Sequence, residues 1–235
     1  MKIELLKKPQ NVTLIEGFPG FGLVGTIATE YLLQHMDFEF IGKYWLEELP
    51  ATVVVHSGDL VHPIGIYYNK KFNIALIHAI TGTDGTEWLL AEVIKDVAVQ
   101  LKAKEIITLE GVGTAAQVEE PSSFYYSTNK EAQKKLKKSK IQPLKEGIIM
   151  GVTAALLLKT TKPTTAFFAD THSNLPDSKA AAKIIEALDF YLGINVKIDP
   201  LLKTAEQFED KLKGLLTKSK DAQDELKKKQ LSYVG

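Results

Sequence analysis

The sequence predicts a three-layer α/β/α sandwich with a mixed sheet, followed by a separate helical extension. Three observations carry that expectation. Short apolar runs alternate with amphipathic stretches of helical period along the first 200 positions, the pattern of a sheet covered on both faces by helices. A glycine-rich turn, Gly17 to Gly25, follows the first strong apolar run. From Leu201 onward the apolar residues change to alternating steps of four and three, a heptad stripe rather than a core pattern.

The elements follow in order. Val12 to Glu16 reads as a strand that ends in the glycines, and Leu23 to Met36 as the helix after it, with Ile27, Tyr31 and Leu32 apolar. Phe38 to Leu46 is the next strand. Pro50 separates it from Ala51 to Ser57, whose Val53-Val54-Val55-His56 core has the unbroken apolar character of a buried strand. Ile64 to Tyr68 and Phe72 to Ala79 flank Asn69-Lys70-Lys71, which predicts an antiparallel hairpin and makes the sheet mixed. Asp84-Gly85 marks a turn before a long helix over Glu87 to Lys102, striped by Leu90, Ile94, Val97 and Leu101.

Ile106 to Leu109 is the returning strand, and Val112 to Ser123 is read as a loop. A polar helix is predicted over Lys130 to Lys138, a buried helix over Val152 to Leu158 and a short core strand over Thr165 to Ala169. Pro176-Asp177 announces the helix Ser178 to Leu192, with Asp177 or Ser178 as its cap. The expected organisation is an α/β domain over residues 1–200, a heptad-patterned helix over 201–230 and a flexible tail over 231–235. In the extension Leu201, Ala205, Phe208, Leu212, Leu215 and Leu226 share one stripe, while Lys, Glu, Asp and Gln fill the other faces. Such a helix packs along a single seam, either docked on its own domain or paired between subunits.

Composition excludes several functions. The 235 residues are 45% hydrophobic, enough for a full core. No run approaches the roughly 18 apolar residues of a membrane span, and the start MKIELLKKPQ lacks a signal peptide's apolar centre. The absence of cysteine removes disulfides, thiolate metal sites and thiol nucleophiles, and fits a reducing, cytoplasmic setting. The 29 basic residues are all lysine and are balanced by 29 acids. No net field recruits nucleic acid or an anionic membrane, and no guanidinium is present to read guanine or clamp phosphate.

Two chemical readings stand beside a purely structural one. Gly20-Phe21-Gly22-Leu23-Val24-Gly25 matches GxGxxG between a strand and a helix, with Glu47 and Glu48 as candidate ribose ligands. The downstream hairpin breaks the regular βαβ succession, and Thr26 stands where a P-loop requires lysine. The glycines then serve a sharp turn and close packing of helix on strand. Asp170, His172 and Asp177 cluster after a core strand, where α/β folds place ligands, and with Ser57 they sketch a hydrolase or nucleoside-transfer set. Ser57-Gly58-Asp59 is not a nucleophile elbow, and Asp177 is equally explained as a helix cap. The five histidines, His35, His56, His62, His78 and His172, show no metal-ligand spacing. No cofactor is implied.

GFPGFGLVGTIATEYLL at Gly17 to Leu33, GDLVHPIGIYY at Gly58 to Tyr68, EIITLEGVGT at Glu105 to Thr114, GIIMGVTAALLL at Gly147 to Leu158 and the D-x-x-A-A pattern at Asp177 to Ala181 together resemble the proteasome assembly chaperone family, above all its archaeal members. The resemblance spans Ile15 to Leu202. It implies a fold like that of purine nucleoside phosphorylases, without enzymatic activity, and homo-oligomers that bind α subunits of the proteasome core particle. It also implies that some members dock on the α-ring through a C-terminal tail with a penultimate tyrosine. Here the chain ends Leu231-Ser232-Tyr233-Val234-Gly235, with the tyrosine third from the end and preceded by serine. The candidate partner-binding residues are Leu231, Tyr233, Val234 and Gly235. An aromatic ring in an inter-subunit pocket and a terminal carboxylate on a cation would supply the binding.

Overall fold

A computed structural model describes residues 2–45, 53–56, 59–80, 85–113, 120–171, 175–203, 205, 214 and 217. Numbered in chain order, the strands are β1 (Lys2–Leu5), β2 (Thr13–Gly17), β3 (Glu39–Trp45), β4 (Val54–His56), β5 (Asp59–Val61), β6 (Ile64–Asn69), β7 (Ile74–Ala79), β8 (Glu105–Gly113), β9 (Ser123–Ser127), β10 (Gln142–Pro143) and β11 (Thr164–Thr171). The helices are α1 (Val24–His35), α2 (Glu87–Gln100), α3 (Lys130–Leu136), α4 (Gly151–Lys159), α5 (Ser178–Leu192) and α6 (Asp199–Lys203), and a 3₁₀ turn at Phe21–Leu23 precedes α1.

Among the described residues, nine strands form one mixed sheet in the order β1-β3-β6-β7-β2-β8-β11-β9-β10. Its centre, β7-β2-β8-β11, is parallel, whereas β1, β3 and β6 extend it antiparallel on one side and β9 pairs antiparallel with β11 on the other. The central strands are apolar at consecutive positions because both of their faces are covered. Ile15, Ile107, Leu109 and Phe167 pack beneath α1 and α5, while Leu14, Ile77 and Ile106 pack beneath α2 and α4. The expected three layers are therefore present.

The sequence places most elements within a few residues. The hairpin β6–β7 forms around residues 70–73, and Asp177 caps α5 as expected, its side chain accepting from the Ala180 amide. Three readings need correction. Val54–His56 is not part of the main sheet: among the described residues it pairs with β5 in a separate two-stranded sheet, and the neighbouring Val53 and Leu60 are exposed. The stretch read as loop up to Ser123 lies between a longer β8 and the unforeseen strand β9. Finally, α4 buries Val152, Thr153, Ala155 and Leu156 but leaves Leu158 exposed, together with Ile148 and Met150 before it.

A buried polar network fixes α5 to the amino end of the parallel strands. Glu105, 7% exposed, accepts from the Tyr191 hydroxyl at 2.8 Å and from the Thr165 hydroxyl at 2.8 Å. Burial foremost, then the nearby carboxylate, pushes the Tyr191 phenol up. With both partners supplied, a carboxylate is held inside the fold without a cation. Leu201 of α6, the first residue of the heptad stripe, is buried in the core under α1 and α5. Ala205 is half-buried in a helical conformation. Phe208, Leu212, Leu215 and Leu226 lie outside the described residues.

Backbones approach closely where α1 crosses the sheet. A methyl group at Gly25 would overlap the Leu109 carbonyl oxygen of β8, and one at Gly17 would overlap the Gly25 carbonyl oxygen. Alanine at position 25 gains about 1 kcal/mol of helix propensity, yet it forces helix and strand backbones apart. Gly25→Ala is expected to lose about 1–3 kcal/mol net, measured as a fall in midpoint of chemical denaturation. An unchanged or raised midpoint would contradict the close approach.

Candidate functional site

Ligands of open α/β sheets sit outside the carboxyl ends of the strands where neighbouring strands send the chain to opposite faces. Here β2 leads into α1 on one face, whereas the chain returning from β8 to β11 crosses the other face in α4. The carboxyl ends of β2 and β8 are therefore the place to look. Three features meet there: the glycine turn, the Asp170–Asp177 segment and two glutamates that sequence reasoning did not single out.

The turn is built from its own backbone. Gly22 has φ +61°, a conformation that glycine adopts without the steric cost other residues carry. The Leu23 amide donates to the Gly20 carbonyl at 3.0 Å, and the Asp177 amide donates to the Gly22 carbonyl at 2.9 Å. Gly20 packs directly on the carboxyl group of Glu110. A pyrophosphate in this turn would face a carboxyl group at contact distance, in a chain with no arginine to offset it, so the GxGxxG match works as a packing device. Phe21, at its tip, is 37% exposed.

Asp177 is fully engaged. One carboxylate oxygen accepts from the Ala180 amide at 2.9 Å and the other from the Thr171 hydroxyl at 2.9 Å. Asp170, half-buried at the end of β11, has its carboxyl pushed up by desolvation. His172 and Ser57 lie outside the described residues. The structure thus brings Asp170 and Asp177 to the same strand end, with Asp177 committed to capping.

A second arrangement has the order of a nucleophile relay. The Thr29 hydroxyl is 2.9 Å from Nδ1 of His78, and Nε2 of His78 is 3.1 Å from Glu30 Oε2. Thr29 is completely buried, and its hydroxyl is also 2.9 Å from the Gly25 carbonyl and 3.1 Å from that of Thr26. The group serves to tie α1 to β7. At the other end of the sheet a groove of about 540 Å³ is lined by His35, Asp37, Asn69, Lys71, Phe72 and Ile194 among others.

What sequence reading missed is the pair Glu16 and Glu110. Both follow an apolar run and immediately precede a glycine, TLIEG in β2 and TLEG in β8, which is the signal that could have found them. Glu16 is 1% exposed. Burial pushes its pKa well above the carboxylate range, and the Glu110 carboxyl adds to the effect. Desolvation pushes Glu110 up to about 8, against the opposing hydrogen bonds from Thr153 and the Gly111 backbone. Two like carboxyls in electrostatic contact, one of them fully buried, resist ionising together and titrate as a pair. Among the described residues, no group of three or more His, Cys, Asp or Glu side chains is placed to hold a metal ion. No helix among them is long and apolar enough to cross a membrane.

Raised folded-state values make stability depend on pH. The unfolded carboxyls ionise near 4.5 while the folded Glu110 holds its proton to about 8, so the contribution is fully present below 4.5 and is lost as pH rises through 8. Glu110→Gln, which cannot ionise, is expected to flatten this decline. Denaturation midpoints between pH 5 and 9, in buffer free of divalent ions, read the effect. An equal slope in wild type and variant would remove Glu110 from the linkage.

The model of the PAC2 family matches residues 14–216 of the chain. An uncharacterised protein of Methanocaldococcus jannaschii is 26% identical over 209 residues, covering 88% of this chain and 86% of that protein. The crystal structure of Pyrococcus furiosus PbaA, described as an archaeal homolog of proteasome-assembly chaperone, superposes with a TM-score of 0.83 at 28% identity, covering 94% of this chain and 99% of that one. Pyrococcus furiosus PbaB, described as an archaeal proteasome activator, shares the fold with a TM-score of 0.74 at 20% identity, over 91% of this chain and 98% of its own. With the matched segment running from β2 through α6 and beyond, the chain belongs to the PAC2 family.

Proposed function

We propose that the protein is a non-enzymatic, oligomeric proteasome-assembly chaperone homologue that binds α subunits of the proteasome core particle. The observation that carries the reading is the near full-length likeness to PbaA, at 28% identity and a TM-score of 0.83. The polar groups at the carboxyl ends of the strands support it. Asp177 caps a helix, Thr29 is buried, and the glycine turn packs on a carboxyl group. None of them presents an activated nucleophile to solvent.

In this reading the heptad residues Ala205, Phe208, Leu212, Leu215 and Leu226 form a seam between subunits, starting from Leu201, which anchors the extension in the domain core. Leu231, Tyr233, Val234 and Gly235 dock on the α-ring, so that the protein also acts as an ATP-independent activator. One residue more after the tyrosine shifts the terminal carboxylate by about 3.3 Å in extended chain, a displacement the receiving pocket has to accommodate.

Light scattering at micromolar concentration is expected to show an oligomer, and native mass spectrometry with archaeal α subunits a mixed complex. A monomer that recovers no α subunit would overturn the proposal. Removal of Leu231 to Gly235 is expected to leave the oligomer intact and to abolish binding to the assembled core particle. Undiminished binding would take the tail out of the mechanism while leaving the chaperone reading in place.

A further inference from the structure

Four oxygen-bearing side chains meet on the α2/α4 side of the sheet. Glu16 of β2 stands opposite Thr108 of β8 in the strand register. Strand alternation places Glu110 on the same face of β8 as Thr108, one step nearer the carboxyl end. Thr153, in the first turn of α4, closes the group: its hydroxyl donates to Glu110 Oε2 at 3.4 Å and is within hydrogen-bonding reach of Glu16. Glu16, Thr108 and Thr153 are each 1% exposed or less, while Glu110 keeps partial access to the surface beside Gly151.

Two of these oxygens, Glu16 Oε1 and Thr108 Oγ1, have no hydrogen-bond partner among the described residues. A buried polar atom left unpaired is destabilising, and here Glu16 Oε1 and Thr108 Oγ1 stand in the same group as the Glu110 carboxyl. The charged groups of the surrounding elements do not compensate them. The only charged residue of α4, Lys159, is at its far end and pairs with Glu92 of α2. Next to Glu92 on α2 stands Lys95, also paired with it, with Glu87 and Asp96 on the same helix. From α1 come Glu30 and His35, with Glu30 joined to His78 of β7, and from β11 comes Asp170. Among the described residues, no lysine or histidine is ion-paired with Glu16 or Glu110.

Converging oxygens of carboxylates and hydroxyls, without sulfur or imidazole, are the donor set of a hard cation. We propose that Glu16, Thr108, Glu110 and Thr153 form a binding site for a hard divalent cation of the Mg²⁺ and Ca²⁺ class, water completing its shell. The ion enters beside Gly151, takes the unpaired oxygens of Glu16 and Thr108 as ligands and joins β2, β8 and α4 beneath the glycine turn. The ligands lie on three elements far apart in the chain, so no spacing rule for metal motifs registers them.

Calorimetry on the full-length protein, treated with chelator and titrated at pH 7.5 with magnesium chloride and with calcium chloride, tests the site. Saturable binding of one ion is expected, with a dissociation constant of about 10⁻⁵–10⁻³ M, together with a rise in thermal midpoint. Glu16→Gln and Glu110→Gln should each weaken binding by about tenfold or more. Thr108→Val, which preserves shape, should weaken it several-fold and carries the test if a glutamine variant does not fold. No heat and no thermal shift at ion concentrations up to about 10 mM would overturn the site and leave the shared proton as the pair's compensation. Binding undiminished in the variants would overturn it too, by placing the ion elsewhere.

Discussion

The contact between α1 and the paired strands β2 and β8 is the constraint on which the rest of the structure depends. Backbone meets backbone there, with the Gly25 and Leu109 carbonyl region leaving no room for a side chain. That closeness sets the height of α1 above the sheet, and with it the positions of Ile27, Tyr31 and Leu32 against Ile15 and Ile107. The turn before α1 has to be equally tight, which is why it uses the left-handed conformation at Gly22 and again at Leu23. Backbone held this way costs of order 1–3 kcal/mol at a non-glycine residue, and the surrounding hydrogen bonds to Gly20 and Gly22 hold it in place.

The same constraint explains the polarity beneath the turn. Once Gly20 is drawn down onto the sheet it covers part of the Glu110 carboxyl, while the neighbouring Glu16 is buried. Other buried acids of the fold are differently provided for. Glu105 is met by the hydroxyls of Tyr191 and Thr165. Glu16 keeps an oxygen without a partner, so the strand ends are the place where the interior is least satisfied.

Much of this architecture was legible in the sequence because central strands and amphipathic helices leave strong periodic signals. The hairpin at Asn69, the stripe Leu90-Ile94-Val97 and the Asp177 cap follow from local chemistry. What escaped was decided by tertiary context. Val54 to His56 is apolar enough for a core strand, but among the described residues it pairs with β5 outside the main sheet. Strand β9 carries an ordinary polar-aromatic pattern, SFYYS, that its pairing with β11 and β10 makes a strand. For the site, the glycine turn pointed to the carboxyl ends of β2 and β8, where it packs on the Glu110 carboxyl. The two glutamates were hidden because reading along the chain treats an acid after an apolar run as a solvated strand end. Burial on both faces comes from helices that arrive much later in the sequence.

The sheet also has two blunt margins. On one side β10 is two residues long and includes Pro143, which has no amide hydrogen to offer; on the other, β1 is four residues long and alternates charged Lys2 and Glu4 with apolar Ile3 and Leu5. Short, charged or proline-bearing borders discourage strand addition by another chain. A neighbouring chain is thereby turned from the hydrogen-bond ladder toward side chains on helices and loops, where a contact changes one residue at a time without disturbing the sheet within.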